Sequence, residues 1–356
     1  MLVDRVRMTN LRSRRSFEVA FGTGLTILAG PNGAGKTTVL EAVALVLRGT
    51  PLRGGSARQL ITRDQEHLRV EVDLTEGQRV LTASSAYSRS AERRLAADGA
   101  PLDDSSRWRE ALPVRSFVPD DLRLVKGSPR RRREYLDTLA AGCEPEYEAA
   151  LCRYEEALAQ RNMLLRTSGR WSDGQEFGPW EAILAREGRA ICEWRATTLA
   201  SFVPSFQQVH AELTGETPDA LHLVYRTNAA GLDEKGYRAR LAESRESDRQ
   251  RTYTHLGPHR DDLRLTRAGI DVRESASQGE QRAALLTLVL AEWQYLCRGP
   301  RQPLLLLDDV MSELDAVRRS ALVGLVCSGG QAILTTTDLR YFTPEELETA
   351  TIVELA

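Results

Sequence analysis

The sequence lacks the residue patterns that several protein classes require. Its cysteines, Cys143, Cys152, Cys192, Cys297 and Cys327, are odd in number and scattered, with no C-x-x-C pair. That excludes a disulfide framework and the usual structural zinc site. Five histidines without clustering give no transition-metal centre. No apolar run approaches the roughly 20 residues of a membrane helix. The opening Met1-Leu2-Val3-Asp4-Arg5-Val6-Arg7-Met8 alternates like a strand and lacks the apolar centre of a signal peptide. A cytoplasmic protein without a membrane partner is therefore expected. Neither charge sign dominates, since 48 basic and 50 acidic residues leave a net −2. Any attraction to nucleic acid has to come from local patches.

What is present begins with Gly30-Pro31-Asn32-Gly33-Ala34-Gly35-Lys36-Thr37-Thr38. It fits G-x-x-x-x-G-K-[ST] at every fixed position. The apolar run Leu25–Ala29 precedes it and the helical run Val39–Leu47 follows. Strand, glycine loop, helix is the context a phosphate-binding loop needs. Backbone N–H groups of the loop converge on an anion, and the helix adds its positive dipole end. Gly30, Asn32, Gly33, Ala34, Gly35 and Thr38 would cradle the nucleotide. Lys36 would reach the β- and γ-phosphates, and Thr37 would hold Mg²⁺. The competing reading is a chance glycine-rich turn, which the flanks disfavour.

A second half-site follows at Leu304-Leu305-Leu306-Leu307-Asp308-Asp309. Leucines buried in a parallel sheet and acids at the carboxyl end match a Walker B strand. Asp308 would serve Mg²⁺, and Asp309, with Lys36 the catalytic pair, would orient the attacking water. By itself the same pattern also describes a buried strand ending in a helix cap.

Other segments set the organisation. Leu68–Leu74 alternates with period two and can pair with Arg79–Ala83 across Thr75-Glu76-Gly77-Gln78. Ser84–Ser106 reads as polar loop. Residues 121–215 read as helical. Tyr147, Leu151, Tyr154, Leu158 and Leu165 form one stripe, and a break spans Thr167–Pro179. Ile191, Trp194, Phe202, Phe206, Val209 and Leu213 line a second helix that Pro204 should kink or interrupt. The two make a helical hairpin with arms of about 30–45 Å at ~1.5 Å per residue. Its aromatics read as core rather than as a base-stacking platform. Leu221–Tyr225 reads as a strand and Ser244–Arg251 as a charged helix. Arginines clump at Arg12, Arg14 and Arg15, more loosely at Arg48, Arg53 and Arg58, and as the solid run Arg130, Arg131, Arg132, Arg133. That run could hold DNA phosphates or be a solvated helix face. Four consecutive residues circle a helix, so some must point away from any one ligand.

Ser277-Gln278-Gly279-Glu280-Gln281 before a helix, Ser312-Glu313-Leu314-Asp315 after the acids, and Ile333–Asp338 complete a constellation that resembles the ABC-type ATPases. The resemblance implies ATP as the nucleotide. It also implies that Ser277, Gln278, Gly279 and Glu280 act in trans on ATP held by a second copy, giving a homodimer on ATP binding. Two positions depart from the pattern. The switch position, usually histidine, falls at Thr336, and the second acid is Asp309 rather than glutamate, which implies a weak ATPase. The glutamine loop is placed near Ser116–Asp121. The Lys36-to-Ser277 gap, with one helical hairpin, lies between the short insert of transporter ATPases and the long coiled coil of chromosome-maintenance ATPases. With Asn10-Leu11-Arg12, Gly257-Pro258-His259-Arg260-Asp261-Asp262-Leu263 and Leu307–Asp315, the whole chain resembles the RecF family of bacterial recombination proteins.

That resemblance implies an α/β ABC-type head, a P-loop sheet with flanking antiparallel strands, carrying an inserted helical-hairpin arm. The expected division is 1–120, 121–250 and 251–356. The implied role is ATP-dependent binding of double-stranded DNA near single-strand junctions, with RecR and RecO, in loading RecA. Arg12 would approach the phosphates by analogy, or be a surface arginine. His259 and Arg260 could touch DNA, nucleotide or a second copy, or cap a turn after Pro258. A nucleotide-binding subunit of an ABC transporter and a non-hydrolysing scaffold are the alternatives.

Overall fold

The computed structural model describes residues 1–90, 93–103, 112–118, 122–167, 174–299 and 302–356. In chain order the strands are β1 (Leu2–Leu11), β2 (Arg14–Ala20), β3 (Leu25–Ala29), β4 (His67–Glu76), β5 (Arg79–Ser88), β6 (Arg94–Ala97), β7 (Ala100–Leu102), β8 (Val114–Phe117), β9 (His222–Arg226), β10 (Asp262–Arg267), β11 (Ile270–Asp271), β12 (Leu304–Leu307), β13 (Ala332–Thr336) and β14 (Thr351–Glu354). The main helices are α1 (Lys36–Leu47), α2 (Pro129–Ala141), α3 (Tyr147–Thr167), α4 (Gly178–Thr214), α5 (Glu234–Glu243), α6 (Arg245–Arg251), α7 (Gln278–Cys297) and α8 (Ala316–Cys327). They form two compact units. The first holds residues 1–122, 208–218 and 282–356, and the second holds 123–207 and 219–281. Residues 251–281, grouped with the third segment in the sequence analysis, pack in the second unit.

The first unit is built on two sheets. One is parallel, with strand order β14-β3-β13-β12-β8. Every residue of β3, β12 and β13 is buried, which explains why these strands read as continuous apolar runs. The other is antiparallel, ordered β2-β1-β4-β5-β6-β7. The expected hairpin is there, with Val72 opposite Ala83 and Leu74 opposite Leu81. The stretch Ser84–Ser106 was expected to be loop, yet it carries the rest of β5 together with β6 and β7. The buried face of β5 runs Leu81, Ala83, Ser85 and Tyr87, with small residues at its centre. Alternation of alanine and serine is nearly invisible as hydrophobicity but packs well in a pleat. Helix α1 is buried along its length except at Thr37. Its Val39, Leu40, Val43 and Leu47 share one core with Met8, Val70, Val72, Leu304 and Ile333. A helix apolar all round belongs in such a centre.

The second unit packs α3 beside the part of α4 within it, through Tyr147, Ala150, Tyr154, Ala157, Leu184 and Ile191, together with Tyr237 and Leu241 from α5. The expected stripe is rotated slightly. Ala150, Ala157 and Arg161 are fully buried, whereas Leu151 and Leu158 are half-buried. Pro204 does not interrupt α4, which runs for 37 residues through it. That length corresponds to about 55 Å at 1.5 Å per residue, beyond the expected arm. Proline removes one backbone donor, and the fully buried Phe202 and Phe206 on either side hold the helix across it.

Two arginines lie in the core of the second unit. Arg161, wholly buried, donates to Glu181 (3.2 Å), Asp248 (2.7 Å), Thr254 Oγ1 (2.8 Å) and Leu241 O (2.8 Å). Arg195 donates to Asp137 (2.5 Å), Tyr147 Oη (2.9 Å), Pro258 O (2.9 Å) and Asp261 (2.9 Å). Each spends its guanidinium donors on fixed acceptors, as a buried charge must.

Candidate nucleotide site

The loop 30–35 joins β3 to α1. Gly35 caps the helix at φ 85°, a conformation only glycine adopts without strain, and a Cβ there would press on the Arg14 side chain. Lys36 Nζ donates to Gly30 O (2.6 Å) and Pro31 O (2.9 Å), pointing back across the loop mouth. Burial lowers the pKa of this ammonium, opposed by the nearby carboxylates of Asp309 and Asp308.

The two half-sites meet inside the first unit. Because β13 lies between β3 and β12, the P-loop and the acids face each other across one strand. Thr37 Oγ1 donates to Asp308 Oδ1 at 2.8 Å, and Asp308 is almost wholly buried. The same oxygen accepts from Thr335 Oγ1 at 3.0 Å, and Asp309 N donates to Thr335 Oγ1 at 2.8 Å. The threonine touching the acids is therefore Thr335. The expected switch residue, Thr336, turns its hydroxyl to Asp338 instead, donating to its carbonyl (3.1 Å) and accepting from its N–H (3.2 Å). Neighbouring strand residues face opposite sides of the sheet, and the parity of a run of three threonines is not written in the run.

Asp309 has φ 50° and ψ 33°, a left-handed conformation that aspartate tolerates. Its Oδ1 is buried and, among the described residues, has no hydrogen-bond partner.

Two arginines enter the site that the sequence marked only as cluster members. Arg53 Nη2 lies 2.5 Å from Asp308 Oδ2 and 3.3 Å from Thr37 Oγ1. Arg14 Nη2 donates to Ala34 O of the loop. Arg12, expected at the phosphates, has φ 54° and pairs with the buried Glu41 of α1 at 3.0 Å. Glu41 also accepts from Leu52 N (2.8 Å), so this one carboxylate ties both Arg12 and the segment after α1 to the P-loop helix. Of the region expected to hold the glutamine loop, Ser116 and Phe117 end β8, and residues 119–121 lie outside the described residues.

The signature-like residues open α7. Ser277 N donates to Glu280 Oε2 (2.7 Å) and Glu280 N to Ser277 Oγ (3.3 Å), a reciprocal cap. Those bonds, first the one from Ser277 N, hold the Glu280 carboxyl below its usual pKa. Ser277, Gln278 and Gly279 are exposed, and a Cβ at Gly279 would meet nothing in this chain. Further along α7, Arg282 pairs with Glu313 of the loop after the Walker B acids.

A family described as RecF/RecN/SMC N terminal domain matches residues 2–351. The DNA replication and repair protein RecF of Moorella thermoacetica is 35% identical over 361 residues, covering 99% of this chain and 95% of that one. The chain belongs to the RecF family. A solved recombination mediator protein RecF with ATP, from the RecFOR pathway, superposes with TM-score 0.81 at 27% identity, covering 94% and 92% of the two chains. An Smc head bound to the C-winged helix domain of ScpA shares the fold, with TM-score 0.58 at 14% identity over 95% and 90%. The α/β head with an inserted helical part is thus the RecF and SMC architecture, and the ABC transporter alternative falls away.

The arginine run and the Gly257–Leu263 segment turn out differently from one another. In the run at the start of α2, Arg130 and Arg131 are exposed and Arg133 half-buried, with Arg133 Nη1 donating to Asp261 O (2.9 Å). Arg132 is not available to DNA. It is buried and makes a two-pronged bond to Asp262, Nε to Oδ1 at 2.7 Å and Nη2 to Oδ2 at 3.0 Å. The segment Gly257–Leu263, apart from the exposed Arg260, packs into the second unit's core. Gly257 has φ 128°, and a Cβ would collide with the hydroxyls of Tyr154 and Tyr237. His259 accepts from Tyr154 Oη at Nδ1 (2.7 Å) and donates from Nε2 to Thr254 O (2.8 Å). Burial brings its pKa down to about 4, which keeps it neutral in this role.

Proposed function

We propose that the chain binds ATP, dimerises on it, and clamps double-stranded DNA in recombinational repair, with slow hydrolysis resetting the clamp. The observation that carries this reading is the 2.8 Å bond between Thr37 and Asp308, which joins the two halves of a nucleotide site. The donor set suits Mg²⁺, since hydroxyl and carboxylate oxygens converge there, as a hard cation prefers, and in this structure the Arg53 guanidinium is the cation those oxygens meet. When bound, Mg²⁺ neutralises charge on the β- and γ-phosphates. Lys36 would bind those phosphates, and Asp309 would orient water. Thr335 holds the acids where the wider family carries histidine nearby, which favours slow turnover. Asp309→Asn should lower ATP turnover by about two orders of magnitude and lengthen dimer lifetime. Turnover at the parent rate would remove Asp309 from catalysis.

The exposed Ser277, Gln278 and Gly279, with Glu280 capping behind them, are proposed to close on ATP held by a second copy. Ser277→Arg should leave ATP affinity unchanged and abolish the dimer in light scattering; dimers of parental stability would sink the trans role. By family, RecR and RecO are the proposed partners in RecA loading, the cytoplasm the site of action, and junctions of single- and double-stranded DNA the target. Among the described residues no helix is long and apolar enough to cross a membrane.

The test is duplex affinity by fluorescence anisotropy, with and without a slowly hydrolysed ATP analogue, at two salt concentrations. Tight, salt-sensitive binding only with nucleotide is expected, because phosphate contacts release counterions. Weak binding that is equal in both states would mean that DNA is not the load.

A further inference from the structure

The second unit carries a cationic patch that the nucleotide site does not use. Where α6 ends at Arg251, Thr252 turns the chain at φ 65° and brings Tyr253 to the surface, 38% exposed. The Tyr253 ring stacks on His255, centroids 4.4 Å apart and 30° between planes. The Arg260 guanidinium lies over the same ring at 5.5 Å. Arg251 Nη1 donates to His255 Nε2 at 2.9 Å, which leaves His255 Nδ1 to donate to the buried Asp248 at 2.7 Å. From the last turn of α3, Arg166 Nε reaches Thr252 O at 3.4 Å.

Arg166, Arg251 and Arg260 are all exposed, and among the described residues none of them pairs with a carboxylate. Several other arginines of this unit are neutralised by neighbours, although among the described residues Arg131, Arg238 and Arg240 are also exposed without an acid. Arg130 pairs with Glu134, Arg153 and Arg186 with Glu187, Arg189 with Glu193, and Arg249 with Glu246. Paired surface charges project little field, whereas unpaired ones attract an anion. In a chain of net charge −2, affinity for a polyanion has to arise at such a place. The patch is held by rings and carbonyls rather than by acids, so its guanidinium forks remain free for phosphate oxygens. Tyr253 contacts both His255 and Arg260, so its ring serves as a post rather than a base-stacking surface.

We infer that Arg166, Arg251 and Arg260, steadied by Tyr253, form a contact of the second unit with the phosphate backbone of duplex DNA. The inference rests on the DNA-binding reading above and gives it residues. Such contacts position DNA without reading bases.

The experiment uses the full chain, a fluorescent duplex of mixed sequence and the slowly hydrolysed ATP analogue, titrated over about 50–200 mM salt, the range in which phosphate contacts are lost. The triple variant Arg166→Ala, Arg251→Ala, Arg260→Ala should flatten the slope of log affinity against log salt by about 2–3 for each copy in contact with the duplex, at about 0.9 per contact. Affinity at the low-salt end should fall at least about tenfold. The corresponding triple lysine variant should restore most of the slope. Arg251→Gln leaves the Tyr253–Arg260 pair in place and should flatten the slope by about 0.9 for each copy in contact with the duplex, which keeps the test decisive if the triple variant fails to fold. If the parent binds duplex and these variants keep its affinity and slope, the patch is overturned while the DNA reading stands. If the parent binds no duplex in either nucleotide state, the DNA reading itself falls, and the patch with it.

Discussion

Replacing Lys36 with methionine should abolish ATP binding, with a loss of at least about a hundredfold in affinity for a fluorescent ATP analogue. Lys36 is 7% exposed, and its ammonium is held over the loop mouth by Gly30 O and Pro31 O. Charge-assisted hydrogen bonds are worth roughly 1.5–3 kcal/mol each. Loss of two of them on the β- and γ-phosphates amounts to about two to four decades in affinity. Methionine keeps the length and apolar stem of lysine, so α1 should stay in its core and the melting behaviour should change little. An affinity within about threefold of the parent would remove Lys36 from the phosphate site.

Replacing Arg161 with leucine should destabilise the second unit by about 3–5 kcal/mol. The guanidinium is wholly buried and bonds to Glu181 and Asp248, themselves buried. Glu181 would keep Arg245 at 2.5 Å, and Asp248 would keep Ser244 Oγ at 2.9 Å and His255 at 2.7 Å. Neither acid would keep its buried cation, and breaking a buried pair leaves charge without compensation. Because the chain has two compact units, a single unfolding midpoint is a poor measure. Hydrogen exchange resolves them. Amides of α3, α5 and α6 should lose protection while nucleotide affinity stays at the parental level. A loss below about 1 kcal/mol would show that the network relaxes around the missing cation.

Local chemistry was legible where a residue's role depends on its immediate neighbours in the chain. The P-loop, the leucine strand ending in acids, and the hairpin of β4 and β5 each combine residue type and spacing within a dozen positions. Roles that depend on which face a side chain takes were not legible. Thr335 rather than Thr336 holds the acids because of strand parity. Arg12 turns to Glu41, while Arg53 and Arg14, from the same kind of arginine clusters, reach the site. The alanine- and serine-rich β5 hid its period because its buried side chains are small.

Head architecture and membership of the RecF family could be read from the chain alone, as could a glycine loop and a leucine strand ending in acids. Those follow from glycine conformation, charge at strand ends and periodic apolar burial, which are local and strong. Only the tertiary structure decided the fate of the arginines. Arg132, Arg161 and Arg195 went into the core with acids distant in sequence, Asp262, Asp248 and Asp261. Arg166, Arg251 and Arg260 stayed at the surface without acids. A guanidinium is the same group in both places, and what separates them is whether a carboxylate far along the chain folds to within about 3 Å, the reach of a hydrogen bond.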